Sequence, residues 1–206
     1  MDISFHASLG RTKLKKREIE ISLEKVEICN DTDFKKLNTT YFSIFHRHFS
    51  VFIKLIEDDC FDSAISLGRT MLEIYVKSFY VEFVLKEKNK NIIDYIEMRV
   101  KLPQFHIMAD ELSKVKHKNG IGIEDHFIQF TQKDLSTYSK FSDFTHCSGE
   151  YLKGYFDSVN GICKIDPNTV LEVLEILNGM FELMFKTFIF VQGRKDLFIG
   201  FMDKKN

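Results

Sequence analysis

The sequence contains no tryptophan, only two prolines and no pair of cysteines at the spacing of a metal knuckle. Because proline ends or kinks a helix, two prolines in 206 residues leave long stretches free to be helical. The four cysteines lack a Cys-x-x-Cys motif, which argues against a zinc knuckle and against a disulfide-rich secreted scaffold. We therefore expect free thiols in a reducing cytoplasm. The cysteines are Cys29, Cys60, Cys147 and Cys163.

Long apolar runs and an excess of one charge are also missing. A membrane helix needs ~20 apolar residues, and the closest run, 180–191, is interrupted by Glu182 and Lys186. The N-terminal residues lack the apolar core of a secretory signal, so we expect a cytoplasmic protein without a membrane partner. With 29 basic and 30 acidic side chains, we do not expect a surface that is basic throughout, such as a nucleic-acid-coating protein has. These numbers are compatible with a local basic patch.

Hydrophobic residues make up 44% and charged residues 29% of the chain, the balance of an ordinary globular domain. We expect a charged N-terminal segment, 1–30, and a single helical-bundle domain, 31–206. Basic residues concentrate in 11–17. In 19–23 the apolar residues alternate as in a strand, whereas the neighbouring charge pairs favour a helix, so the sequence leaves this segment open.

Apolar residues recur at three- and four-residue steps through most of the remaining chain, which indicates amphipathic helices. A polar capping cluster precedes the first of them, and Asp166-Pro167 marks the start of the last. Gly149 is expected to end the helix before it. The sequence thus predicts an all-α fold, a single bundle of five to seven helices. The expected helical segments are 34–57, 62–88, 92–100, 105–116, one beginning near 123–125, 135–146 and 168–192.

The first candidate site is the pair Arg69 and Glu73, four residues apart in a segment rich in apolar residues. At this spacing both side chains share one face of a helix and can form an ion pair. One interpretation is an ordinary pair on a partly exposed helix face. The other is a polar spot within the bundle, where each charge needs partners.

The second candidate site is the segment 138–146. On a helix Tyr138, Ser142 and His146 form one stripe, with Ser139 at its edge. The imidazole of His146 could act as a general acid or base, because histidine titrates near neutral pH. A histidine that only caps a helix end is the alternative.

The combined pattern, Arg-x3-Glu followed by Tyr-x3-Ser-x3-His, resembles uncharacterised bacterial helical-bundle proteins discussed alongside the HEPN superfamily (higher eukaryotes and prokaryotes nucleotide-binding). The resemblance covers roughly residues 34–190. It implies a small all-α bundle that forms homodimers, and an effector of toxin–antitoxin, abortive-infection or antiphage systems. Many HEPN proteins are metal-independent RNases whose active site is an Arg a few residues before a His. In this chain Lys140 stands at the position of that arginine.

For an RNase, the resemblance implies that the 2′-hydroxyl of RNA is the nucleophile, that His146 moves a proton, and that Arg69 or Lys140 stabilises the charge on the phosphate. Glu73, Tyr138, Ser139 and Ser142 would bind or orient the substrate. A lysine lacks the forked geometry of an arginine, so either Arg69 supplies the guanidinium or the chain is not an RNase.

A di-iron site would need two Glu-x-x-His motifs, and the chain offers only Asp143-x2-His146, so no metal or other cofactor is expected.

The alternative function is a non-catalytic helical module that binds a partner protein or a nucleotide. The expected partners are RNA, a protein encoded in the same operon and a second copy of the chain. The apolar 180–190 face is expected to be core, with a homodimer seam as the second choice.

Overall fold

The structure is a computed structural model that describes residues 3–115, 124–131, 136–146, 149–156, 165–194 and 196–197. Within these ranges the chain forms helices joined by turns and has no β-strand, which confirms the expected all-α bundle. Helices α1 to α9 span Ile3–Leu23, Asp33–Glu57, Phe61–Tyr80, Ile92–Ile96, Phe105–Leu112, Glu124–Ile128, Ser136–Thr145, Gly149–Phe156 and Pro167–Val191, and a π-helix, Val81–Leu85, continues α3.

The longest helices begin at the capping residues that the sequence indicates. Thr32 precedes α2, and its hydroxyl accepts a hydrogen bond from the backbone N–H of Lys35 at 3.2 Å. Asp166 precedes α9 and accepts from the backbone N–H of Asn168 at 3.0 Å, with Pro167 in the first turn. These side chains satisfy N–H groups that have no partner within the helix. The predicted starts of α2 and α9 are therefore confirmed.

The N-terminal segment that the sequence left open between helix and strand is the helix α1. It packs along α9, and its apolar residues Phe5 and Ile19 are buried in the common core. Ion pairs reinforce this position, including one between Lys15 of α1 and Glu182 of α9 at 3.3 Å. Much of the expected N-terminal segment 1–30 is thus part of the bundle.

Phenylalanine rings fill the space between α2 and α9. Phe42 stacks on Phe188 with ring centroids 4.6 Å apart, and Phe49 stacks on Phe181 at 4.4 Å. All four rings are buried. Such aromatic pairs stabilise the fold by more than the burial of their apolar area alone would provide. The expectation that the apolar face of 180–190 is core is confirmed.

Several expected segments differ from the observed helices. The expected helix 92–100 ends at Ile96, because Met98 has a φ of 57°, a left-handed conformation that a helix does not continue. The expected helix 62–88 changes into the π-helix at Val81. Gly149 has a φ of 54°, as expected after a helix, but it also begins α8, which the sequence analysis did not anticipate.

Helix α7 crosses α3 at Gly68, and this crossing positions the candidate site. The ring of Phe141 lies so close to Gly68 that a Cβ at that position would overlap it. Beside this contact the hydroxyl of Ser66 donates to the backbone oxygen of Phe144 at 3.2 Å. The close approach of the two helices therefore requires a residue without a side chain, glycine, at position 68. No helix in the described part of the chain has the length and apolar character needed to span a membrane.

Candidate functional site

Arg69 and Glu73 pair along one face of α3. The Nε and Nη2 atoms of Arg69 each donate to Oε1 of Glu73 at 3.1 Å. The side chain of Arg69 is only 13% exposed, whereas that of Glu73 is 36% exposed. The pair therefore combines the two interpretations: the guanidinium lies within the bundle, and the carboxylate reaches toward solvent.

Tyr138 of α7 completes this cluster from the neighbouring helix. Its hydroxyl accepts a hydrogen bond from Nη2 of Arg69, and the guanidinium carbon lies 3.6 Å from the centre of its ring. The ring also stacks on Phe105 of α5 with centroids 4.5 Å apart. A cation close to an aromatic face is stabilised by the ring quadrupole. Arg69 thereby fixes the position of Tyr138.

The charges of the cluster favour an ionised Glu73. Burial alone would raise the pKa of its carboxyl, but hydrogen bonds and charges from Lys77 and Arg69 outweigh burial and hold that pKa below its ordinary value of 4.5. Nζ of Lys77 donates to Oε2 of Glu73 at 3.1 Å. Nη1 of Arg69 is buried and has no hydrogen-bond partner among the residues described. The guanidinium is therefore satisfied on one side only.

The other predicted site residues lie along α7. Ser142 is half-buried, and its backbone oxygen accepts from the N–H of His146 at 2.9 Å, just after the helix ends. His146 is exposed. It follows Tyr138 by two helical turns, about 12 Å along the axis. The side chains of Ser139 and Lys140 lie outside the described part of the structure, so their roles stay predictions.

A cleft of about 560 Å³ opens beside the cluster, between α3 and the segment that leads into α5. Glu73 and Tyr138 line it, and the rest of its wall consists of residues that were not predicted from the sequence. Lys77 repeats the four-residue step from Glu73 and could have been found from that spacing. The other residues come from the expected helices 92–100 and 105–116 and from the residues between them, and nothing in the sequence indicates that they lie beside Glu73. They are Tyr95, Met98, Val100, Lys101, Leu102, Pro103, Gln104, Phe105, His106 and Met108.

In the structure Arg69 contacts both Glu73 and Tyr138, and His146 lies about two helical turns beyond Tyr138 along the chain. Within the described ranges, no three metal-ligating side chains come together. The thiols of Cys29 and Cys60 are free. No protein-family model, no curated protein and no solved structure matches this chain.

Proposed function

We propose that the chain is a cytoplasmic helical module that binds a nucleotide in the cleft beside Tyr138. The observation that carries the proposal is the combination of aromatic rings and cations in one cavity. The rings of Tyr95, Phe105 and Tyr138 line the cleft together with Lys101 and with Lys77, which is paired with Glu73. Stacking of a base on an aromatic side chain contributes about 1–3 kcal/mol. Lysines bind phosphate as point charges.

The size and charge of the cleft also favour this ligand. Its volume of about 560 Å³ falls within the ~300–1,000 Å³ typical of small-molecule sites. Lys101 is exposed and forms no ion pair within the described ranges, so it is available to a phosphate. Gln104 supplies an amide that can both donate to and accept from a base edge. Arg69 acts here as a positioning residue, because it holds the ring of Tyr138.

Calorimetric titration with the four nucleoside monophosphates tests the proposal, with nucleoside and inorganic phosphate as partial ligands. We expect Phe105→Leu and Lys101→Gln each to weaken binding about tenfold, a change of about 1.4 kcal/mol. Lys36→Gln is the matched control, since Lys36 is an exposed lysine outside the cleft. Equal binding by Lys101→Gln and Lys36→Gln, or no binding by the wild type, would contradict the proposal.

A second candidate is an RNase of the HEPN type, acting in a stress or antiphage system as a homodimer with an operon-encoded partner. The exposed position of His146 on the segment that follows α7 favours it. Arg69 is engaged with Glu73 and Tyr138, so Lys140 is the residue of α7 proposed to stabilise the phosphate charge. RNA would then run from the cleft along α7 toward the imidazole.

Incubation of labelled RNA with the protein in EDTA distinguishes the two candidates. We expect His146→Ala and Lys140→Ala to abolish cleavage, while His126→Ala, which removes another exposed histidine, leaves it intact. Cleavage that persists equally in all three variants would remove the RNase candidate. Nucleotide binding without cleavage of any RNA would favour the binding module.

A further inference from the structure

A second cavity of about 480 Å³ lies where the end of α1 and the following loop meet the middle of α2 and the end of α9. It shares no residue with the cleft beside Tyr138. Five of the residues that line it are apolar and five are polar. The apolar residues are Leu23, Val26, Ile28, Phe42 and Phe188, and the polar residues are Thr39, Ser43, His46, Arg47 and Ser50.

The apolar half of this groove is continuous with the packed core. Phe42 and Phe188 stack at 4.6 Å with nearly parallel rings, and both are buried in the core, as is Val26. Ile28 stands at the edge of the groove and is 54% exposed. An aliphatic chain in the groove would cover the exposed side chain of Ile28 and remove its apolar surface, with that of the chain itself, from water.

The polar half contains a histidine that is neutral at neutral pH. Burial, followed by the charge of Lys16, lowers the pKa of His46 below 6.5, although Glu20 acts in the opposite direction. Nε2 of His46 lies 3.2 Å from Oε1 of Glu20, and the ring stacks on Phe181. Glu20 is also paired with Lys16. His46 therefore brings a polar ring to the groove but no net positive charge.

Arg47 is the positive charge of this groove. It is exposed, and no carboxylate pairs with it within the described ranges. The hydroxyl of Ser43 lines the same part of the cavity. A guanidinium binds a carboxylate through two parallel hydrogen bonds. One unpaired cation beside an apolar floor matches a ligand with a single negative charge and an aliphatic body.

We propose that the groove between α1, α2 and α9 binds a medium-chain fatty acid, with its carboxylate on Arg47 and its chain against Phe42 and Phe188. This site is independent of the proposed nucleotide site, because the two cavities have different walls. A ligand with two or more negative charges, such as a phosphate monoester, would bind less well, since Arg47 is the only unpaired cation among the described lining residues.

Titration with octanoate, followed by calorimetry or NMR below the concentration at which it forms micelles, tests this proposal. Hexanoate shortens the chain by two CH₂ groups, and we expect about a fourfold loss of affinity for each. 1-Octanol has the same chain without the charge, and acetate has the charge without the chain. Both should bind at least tenfold more weakly than octanoate.

Two exposed positions provide variants that should not disturb folding, which thermal melting would verify. Arg47→Gln should weaken octanoate binding about tenfold and leave octanol binding unchanged, whereas Ile28→Ser should weaken both. Arg11→Gln, at another exposed arginine, should change neither. Equal affinity for octanol and octanoate, equal effects of Arg47→Gln and Arg11→Gln, or no binding of octanoate at millimolar concentration would overturn the proposal. A concentration-dependent dimer that Ile28→Ser abolishes would also overturn it, because the groove would then hold a second copy.

Discussion

The contact of Gly68 with Phe141 allows a quantitative test of how α7 is held on α3. A Cβ added at Gly68 would overlap Cε1 of Phe141 and lie 2.9 Å from its Cδ1, and the ring is fully buried. Gly179 in α9 is the matched control, because a Cβ there would meet no atom within 4 Å. Both glycines lie inside helices, so both gain the same helix propensity when replaced by alanine.

The two substitutions are expected to change the free energy of unfolding in opposite directions. Alanine is favoured over glycine inside a helix by about 1 kcal/mol, so Gly179→Ala should stabilise the protein by that amount. At Gly68 the same gain opposes a cost of about 1–3 kcal/mol for forcing an extra carbon into a packed core. Gly68→Ala should therefore destabilise the protein by roughly 1 kcal/mol, which leaves a gap of about 2 kcal/mol between the two variants.

Urea denaturation followed by circular dichroism measures both free energies of unfolding. The double variant Gly68→Ala/Phe141→Leu closes a cycle, and we expect a favourable coupling of about 1 kcal/mol because the smaller side chain makes room for the added carbon. If Gly68→Ala proved as stable as Gly179→Ala, the close approach of the two helices at this position would be refuted.

Three further expectations concern stability. Burial raises the pKa of Glu82, although Lys86 acts in the opposite direction. Glu82→Gln should therefore raise the melting temperature at pH 7, and this gain should vanish at about pH 4, where the carboxyl is protonated in both the folded and the unfolded chain. An unchanged melting temperature at pH 7 would contradict this. The pKa of His46 is lowered from 6.5, so the unfolded chain takes up a proton first as the pH falls. The wild type should therefore lose stability more steeply than His46→Gln between about pH 7 and pH 5.5. Thr32→Ala removes the cap of α2 and should cost about 1 kcal/mol in urea denaturation, against little change for Thr40→Ala.

The sequence predicts the long helices well, because periodic apolar positions and side-chain caps act locally. Helix α1 could not be decided from its own residues. Its stability as a helix depends on partners far along the chain, such as Glu57, which pairs with Lys13, and the face of α9 against which α1 packs. Helix α8 was missed for a different reason: Gly149 has the left-handed φ of a helix stop and begins a helix at the same position.

Part of the candidate site was also predictable. Arg69 and Glu73 are one helical turn apart and are charged residues in an otherwise apolar segment, which makes them candidates from the sequence alone. In the structure Arg69 forms hydrogen bonds with both Glu73 and Tyr138. Phe105 and Lys101 lie on either side of Pro103 and far from Glu73 along the chain, so only the tertiary fold shows that they line the same cleft as Glu73. The predicted stripe of Tyr138, Ser142 and His146 stays a prediction, since His146 follows the last residue of α7 and spacing alone does not show where a helix ends.

Tyr138 is stacked between the guanidinium of Arg69 and the ring of Phe105, and this part of the cleft can be followed by fluorescence. Since the chain contains no tryptophan, its ultraviolet emission comes from tyrosine, and no indole is present to mask it. A tryptophan placed at Phe105 would be the sole indole of the protein and would report directly on the polarity of the cleft. A Phe105→Trp variant would therefore allow titration with nucleotides without an added label, in which binding of the proposed ligand would be detected as quenched fluorescence.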